Sequence, residues 1–137
     1  MIPLELLKIK DILRDGLHIF CRVHIKDKEL RMLVDTGASM TVFDNRKKIS
    51  DNEQEDNEQV ISAVGGDNIQ SKYVVIDEMI IGDIVIKDYK TILMSLGHIN
   101  SHFRLNGLPL IDGILGGDIL SNYKAVIDYE KREMKLS

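Results

Sequence analysis

Asp35 stands where an apolar strand meets a tight turn, which is an unusual place for a carboxylate. It follows Met32-Leu33-Val34 and precedes Thr36 and Gly37, and a glycine there permits tight backbone geometry and the close approach of another chain or a ligand. Burying an unpaired carboxylate costs several kcal/mol. We therefore expect Asp35 to have a partner or to do chemistry, although a plain turn in which Asp35 caps its own backbone also fits the motif.

The chemistry open to a carboxylate at such a turn is general acid–base catalysis. Hydrolysing an amide without a metal or a covalent nucleophile requires one group that activates water and another that protonates the carbonyl oxygen. Two carboxylates held close together can do both, because their mutual repulsion makes the pair share a proton. Asp35 alone supplies half of such a pair.

The histidines do not predict a metal site. His98 and His102 are four residues apart, but no Cys or Glu nearby completes a ligand set, and the glycine and asparagine around them weaken a helix. His18 and His24 share a strand face about 20 Å apart. Because no glycine-rich phosphate motif is present either, we expect neither a metal nor another cofactor.

The composition is that of one globular domain spanning residues 1–137. The chain is 44% hydrophobic with a net charge of -4, which argues against a nucleic-acid partner. No apolar run is long enough to cross a membrane, and the N-terminus does not resemble a signal peptide. The lone Cys21 excludes an internal disulfide and favours a buried thiol in a reducing compartment, so we expect the cytoplasm.

Short apolar runs separated by turn residues predict a mostly-β domain. Residues 17–25 alternate apolar and polar side chains as a half-buried strand does, and residues 6–13 precede them across an Asp-Gly turn, which favours a hairpin. Residues 125–129 and 133–136 predict a last hairpin. Residues 116–123 predict one short helix near the C-terminus.

Three other segments are predicted as a surface loop, a hairpin and a second loop. Residues 45–59 are hydrophilic and acidic with no apolar periodicity, which indicates a solvated surface loop. Residues 60–76 predict a hairpin with Gly65-Gly66 at its tip, and residues 95–109 predict a loop.

Three segments in order resemble the retropepsin-like aspartic proteases. Leu33-Val34-Asp35-Thr36-Gly37-Ala38-Ser39 resembles their active-site signature, and Ile114-Leu115-Gly116-Gly117-Asp118-Ile119-Leu120 resembles the later apolar-apolar-Gly segment that threads past the catalytic loop. Ala63-Val64-Gly65-Gly66-Asp67 lies between them, in a context like the glycine-tipped flap of that family. The resemblance implies a closed acid-protease β-barrel over nearly the whole chain.

The resemblance also implies roles for the residues of these segments. Its catalytic residues would be Asp35, Thr36 and Gly37. The flap and the active-site loop would contact a peptide substrate through Ala38, Val64, Gly65, Gly66 and Asp67. The catalytic loop would be supported by Ile114, Leu115 and Gly116. Members with two lobes usually carry serine where Ala38 stands, so we expect an optimum in weak rather than strong acid.

The length implies that the second carboxylate comes from another copy of the chain. Two-lobed relatives carry two Asp-Thr-Gly motifs in about twice this length, whereas the other aspartates in comparable contexts here lack the Thr-Gly turn: Asp44, Asp112, Asp118 and Asp128. A symmetric homodimer would bring the two Asp35 side chains together on its two-fold axis.

Two rival functions remain open at the level of the sequence. The same fold could serve as a dimerisation or peptide-binding module with little turnover, or as a monomer that becomes active when a partner or a processing event pairs it. The chain ends do not obviously supply the interdigitated terminal strands by which viral members dimerise, so the sequence leaves the mode of pairing open.

Overall fold

The computed structural model describes residues 1–9, 16–47, 49, 53–62 and 68–137, and for 9, 53–62 and 68–70 it describes the backbone alone. These residues form eleven strands and two helices. In chain order they are β1 (Ile2–Pro3), β2 (Glu5–Ile9), β3 (Gly16–Ile25), β4 (Lys28–Val34), β5 (Val42–Asp44), β6 (Glu53–Ser62), β7 (Asn68–Ile81), β8 (Ile84–Met94), α1 (Gly97–Leu105), β9 (Gly113–Leu115), α2 (Gly117–Asn122), β10 (Val126–Asp128) and β11 (Glu133–Lys135).

Six of these strands close into a barrel. Their order is β3-β4-β9-β5-β8-β7, and β7 returns to β3 where His24 pairs with Ile80 and Ile25 pairs with Met79. β2 and β6 extend the sheet on the outer sides of β3 and β7. The mostly-β, closed-barrel prediction is confirmed.

The two faces of β3 meet two different apolar clusters, so Phe20 departs from the apolar–polar alternation of the strand. Cys21, Val23 and Ile25 point into the main core, which fills the barrel, and Cys21 is a buried free thiol. Phe20, on the opposite face, is also buried, because it packs with Leu33 and residues from β9 and α1 in a second, smaller cluster. The fold therefore has an apolar layer outside the barrel wall, beneath α1.

The two ends of the chain meet in a separate three-stranded sheet. β11 lies between β1 and β10, with Met134 paired to Ile2 on one side and to Ile127 on the other. The predicted C-terminal hairpin is confirmed as β10 and β11. The terminal strands of this chain thus pair with each other within one subunit.

Helix α1 lies within the segment predicted as a loop, so the described residues contain two helices rather than one. Two of its side chains, Asn100 and Phe103, are buried. The Asn100 amide donates to the carbonyl of Ile111 at 3.1 Å, and the Ile111 amide donates back to Oδ1 at 2.8 Å. These tertiary contacts outweigh the weak helix propensity of the segment. Neither helix in the described part of the chain is long and apolar enough to span a membrane.

Strand β6 also differs from the predicted surface loop at residues 45–59. Residues from 53 onward are extended and pair antiparallel with β7, with an irregular register between Glu53 and Glu58. Ladder hydrogen bonds join backbone groups and do not require an apolar pattern, so the hydrophilic composition concealed a strand.

Candidate active site

Asp35 directly follows β4, and strand β9 holds it in place. β9 runs parallel to β4, with Leu33 opposite Ile114 and Val34 opposite Leu115. This ladder continues for one further bond, because the amide of Asp35 donates to the carbonyl of Leu115 at 3.0 Å. Asp35 is therefore placed by the barrel wall itself, and its side chain is half-buried at the edge of the barrel.

The turn after Asp35 is closed by hydrogen bonds to that same residue. The Gly37 amide donates to Asp35 Oδ1 at 2.9 Å, and the Ala38 amide donates to the Asp35 carbonyl at 3.2 Å. Thr36 and Gly37 themselves are exposed. The plain-turn interpretation and the catalytic one are thus compatible, because the bond that closes the turn also fixes the orientation of the carboxylate.

The Ile114-Leu115-Gly116 segment passes between the two arms of the Asp35 loop. β9 pairs with β4 before the loop and with β5 after it, where Val42 lies opposite Ile114. The loop connecting residues 35 to 41 is therefore clamped at both ends by one short strand.

Gly116 is the point of closest approach between this segment and the loop. A Cβ atom at Gly116 would lie 2.5 Å from the carbonyl oxygen of Met40 and 3.0 Å from that of Ala38. The neighbouring Gly117 amide donates to the Ala38 carbonyl at 2.7 Å, and the Asp118 amide donates to the Ser39 carbonyl at 3.1 Å. No side chain fits at Gly116 unless the backbone of the loop moves.

Three side chains near the loop were not predicted as site residues: Thr41, Tyr89 and Asp118. Asp118 Oδ1 accepts from the Thr41 amide at 2.9 Å and from its hydroxyl at 2.8 Å, and Asp118 Oδ2 accepts from the Tyr89 hydroxyl. Burial and the Asp118 carboxylate raise the pKa of Tyr89. The aspartate after Gly116-Gly117 was a signal in the sequence, but nothing in the spacing indicated which residues it meets.

His18 is a further residue near the loop that was not predicted as part of the site. Burial lowers its pKa, as does His102 of α1, while the charge of Asp35 raises it. Its ring centroid lies 5.2 Å from that of Phe103. His18 therefore packs against α1 and lies within electrostatic range of Asp35.

The predicted tip of the flap, with Val64, Gly65, Gly66 and Asp67, lies outside the described residues. The base of the flap is described: Ile61, near the end of β6, pairs with Ile69, near the start of β7. The described residues include no group of three or more histidine, cysteine, aspartate or glutamate side chains that could hold a metal ion.

Comparison with known proteins agrees with this geometry. A family model described as aspartyl protease matches residues 21–119, which include the Asp35 loop and the Ile114-Leu115-Gly116 segment. Among solved structures, a retropepsin-like aspartic protease from Rickettsia conorii matches with a TM-score of 0.53 and 16% identity, covering 93% of this chain and 88% of that one. The comparison with curated proteins found no match.

The closed barrel, with an Asp-Thr-Gly turn clamped by an Ile-Leu-Gly strand, is the retropepsin-like fold. The chain belongs to the aspartyl protease family, and the protein is an aspartic-type peptidase.

Proposed function

We propose that the protein is a homodimeric aspartic endopeptidase in which Asp35 of each subunit supplies one of two catalytic carboxylates. The observation that carries the proposal is the Asp35 turn, which is rigidly bonded yet presents Thr36 and Gly37 at the surface. A second copy related by a two-fold axis can meet this turn with its own. One chain contributes one Asp-Thr-Gly motif, so the site is complete only as a pair.

The dyad acts through a water molecule held between the two carboxylates. The ionised Asp35 removes a proton from the water, whose oxygen attacks the peptide carbonyl, while the protonated Asp35 of the other subunit gives its proton to the carbonyl oxygen. The tetrahedral intermediate collapses when the Asp35 that took the proton from water gives it to the amide nitrogen and the C–N bond breaks, while a hydroxyl of the intermediate returns a proton to the other Asp35 as the new carboxyl group forms. The reaction forms no covalent enzyme intermediate and uses no metal.

The residues around the dyad position it and the substrate. Thr36 of each subunit bonds across the two-fold axis, and Gly37 lets an extended peptide approach closely. Ala38 lines the floor of the cleft. The hairpin of β6 and β7 reaches over the cleft as a flap, and Val64, Gly65, Gly66 and Asp67 at its tip contact the substrate and exclude water. These assignments follow the family resemblance at matching positions.

The alternative function is a binding module, or a peptidase that is active only when assembled. One observation favours conditional assembly: β11 is paired with β1 on one side and with β10 on the other within one chain, so this terminal strand needs no second subunit as a partner. A stable monomer would then be the resting form.

The test combines mass with activity. Sedimentation of the wild type at pH 4 to 8 is run beside digestion of a mixed peptide library in the same samples. We expect a dimer that cleaves peptides and is blocked by a statine-type mimic of the tetrahedral intermediate.

Asp35→Asn should abolish cleavage while the fold and the dimer remain, because it removes the general base and leaves the side-chain shape. Full activity in Asp35→Asn would disprove the catalytic assignment, and a stable, inactive monomer would favour the alternative.

A further inference from the structure

A cluster of hydrogen-bonded polar side chains connects the Asp35 loop to two other parts of the barrel. It consists of Asp118 at the start of α2, Thr41 at the end of the loop, and Tyr89 and Thr91 on β8. Thr41 and Thr91 are 0% and 1% exposed. Asp118 and Tyr89 are partly buried, so the cluster extends from the interior toward the surface of the barrel.

Asp118 is the centre of this cluster because both of its oxygens accept hydrogen bonds. Oδ1 accepts from the Thr41 amide at 2.9 Å and from its hydroxyl at 2.8 Å, and Oδ2 accepts from the Tyr89 hydroxyl. Hydrogen bonds to a charged acceptor are about twice as strong as neutral ones. Burial and the Asp118 carboxylate raise the pKa of Tyr89, so its hydroxyl stays protonated at neutral pH and donates to the carboxylate.

Thr41 extends the same cluster to the backbone of both segments. Its hydroxyl, which donates to Asp118, accepts from the Gly116 amide at 2.9 Å. Its carbonyl accepts from the Thr91 hydroxyl at 2.8 Å. Thr41, at the end of the Asp35 loop, is thus hydrogen-bonded to β8, to α2 and to the Gly116 turn.

We propose that Asp118 and Tyr89 are positioning residues that hold the Asp35 loop in the geometry required for catalysis. They touch neither substrate nor the reacting atoms, and they act through Thr41 and the backbone of residues 38–41. This inference rests on the proposed function, because it assigns the loop a catalytic geometry that has to be maintained. If the cluster loosens, the two Asp35 carboxylates of the dimer are held less firmly at the distance at which they share a proton.

A loosened loop should affect turnover more than binding. Displacements of about 1 Å in a catalytic group can reduce rates about 100-fold. We expect Tyr89→Phe, which deletes one donor to Asp118 and keeps the ring, to lower kcat about 10-fold and leave KM within about 2-fold. The limbs of the pH–rate profile should move as well, because they report the coupled carboxylates. A defect of stability alone would leave kcat per folded enzyme and the pH profile unchanged.

The matched control is Tyr123→Phe, which removes a hydroxyl from another partly buried tyrosine packed against the main core. Asp118→Asn and Asp118→Ala form a second pair, because the asparagine carbonyl can still accept from Thr41 and alanine cannot. We expect the asparagine variant to retain more activity than the alanine variant, and Tyr123→Phe to behave as the wild type. Equal kcat in Tyr89→Phe and Tyr123→Phe would overturn the proposal.

A readout that does not depend on turnover separates this proposal from the proposed function. Amide hydrogen exchange at Gly37, Ala38 and Thr41 reports how firmly the loop is held. We expect faster exchange at these amides in Tyr89→Phe than in Tyr123→Phe, whether or not the wild type cleaves peptides. Unchanged exchange would refute the positioning role, and an inactive wild type with the expected exchange pattern would refute the peptidase proposal while leaving the anchoring of the loop intact.

Discussion

Asp35 and Asp118 lie on opposite sides of one loop, and their surroundings differ in a way that separates a chemical carboxylate from a structural one. Asp118 accepts from Thr41 and Tyr89 through both of its oxygens. Asp35 accepts the Gly37 amide through Oδ1 and lies beside the exposed Thr36 and Gly37. A carboxylate whose two oxygens both accept hydrogen bonds from side chains and backbone stabilises its loop, whereas one beside an exposed turn can exchange protons with water.

Gly116 gives a direct test of how closely the supporting segment must approach the loop. Gly116→Ala places a methyl group 2.5 Å from the Met40 carbonyl oxygen, which is backbone and cannot rotate away. We expect a loss of about 1–3 kcal/mol in the free energy of unfolding, measured by urea denaturation, together with reduced activity. Gly16→Ala is the matched control, because no atom of the described residues lies within 4 Å of a Cβ added at Gly16. Equal stability of the two variants would contradict the close packing of the loop on Gly116.

At the scale of elements, the sequence predicted the strands and helices that follow from local residue patterns. It missed those that depend on contacts between distant parts of the chain. The alternation of residues 17–25 predicted β3, and the residues after Gly116 predicted α2. Helix α1 was missed because the burial of Phe103 and the bonds of Asn100 to Ile111 are tertiary. β6 was missed because the backbone ladder with β7 leaves no apolar signature.

The candidate site also has one part that the sequence predicted and another that it did not. The motif predicted the Asp35 turn and the Ile114-Leu115-Gly116 segment, because both are short and contiguous. The cluster behind the loop joins Thr41, Tyr89 and Asp118, residues far apart in the chain, so no local spacing reveals it.

Substitutions in helix α1 test whether an element outside the barrel stabilises the region beside the site. Phe103 is 1% exposed, and its ring centroid is 5.8 Å from that of Phe20 in an edge-to-face arrangement. Phe103→Ala should cost about 3–5 kcal/mol in the free energy of unfolding, because it leaves a cavity in the smaller apolar cluster. Leu105→Ala on the same helix is the control, since Leu105 is 87% exposed. If both variants lost the same stability, α1 would not be anchored through Phe103.

At the scale of the whole molecule, the titrating groups predict that the folded subunit weakens in acid. The bond from Arg31 lowers the pKa of Glu5 below its ordinary value of 4.5, so the stability from this pair is present above that pH and is lost as the pH falls through the lowered value. Protonation would also leave Arg31, whose Nε and Nη2 are buried without a partner among the described residues, lacking its counter-charge.

His18 also makes the folded subunit less stable in acid, but at a higher pH than Glu5. Burial lowers its pKa below 6.5, so the unfolded chain binds a proton more readily and stability falls as the pH drops below about that value. We expect the Tm to decrease steadily from pH 7 to pH 4, and Glu5→Gln to flatten the most acidic part of this decrease. A Tm that rises on acidification would show that other groups control the stability.

Mixing subunits tests whether the active site spans two chains. Wild type and Asp35→Asn are unfolded together in equal amounts and refolded, so that subunits pair at random. If each site requires two Asp35 carboxylates, about one quarter of the dimers carry both, and the activity falls to about half of that of the same amount of wild type refolded alone. A mixture with Gly16→Ala, whose added methyl group meets no described atom within 4 Å, is the control and should give the summed activities of its components. Undiminished activity in the Asp35→Asn mixture would mean that one chain holds a complete site. Inhibition to about half is the result expected when the catalytic pair is assembled from two copies of the Asp35 loop, because the inactive subunit then removes a functional partner from each wild-type chain that it meets.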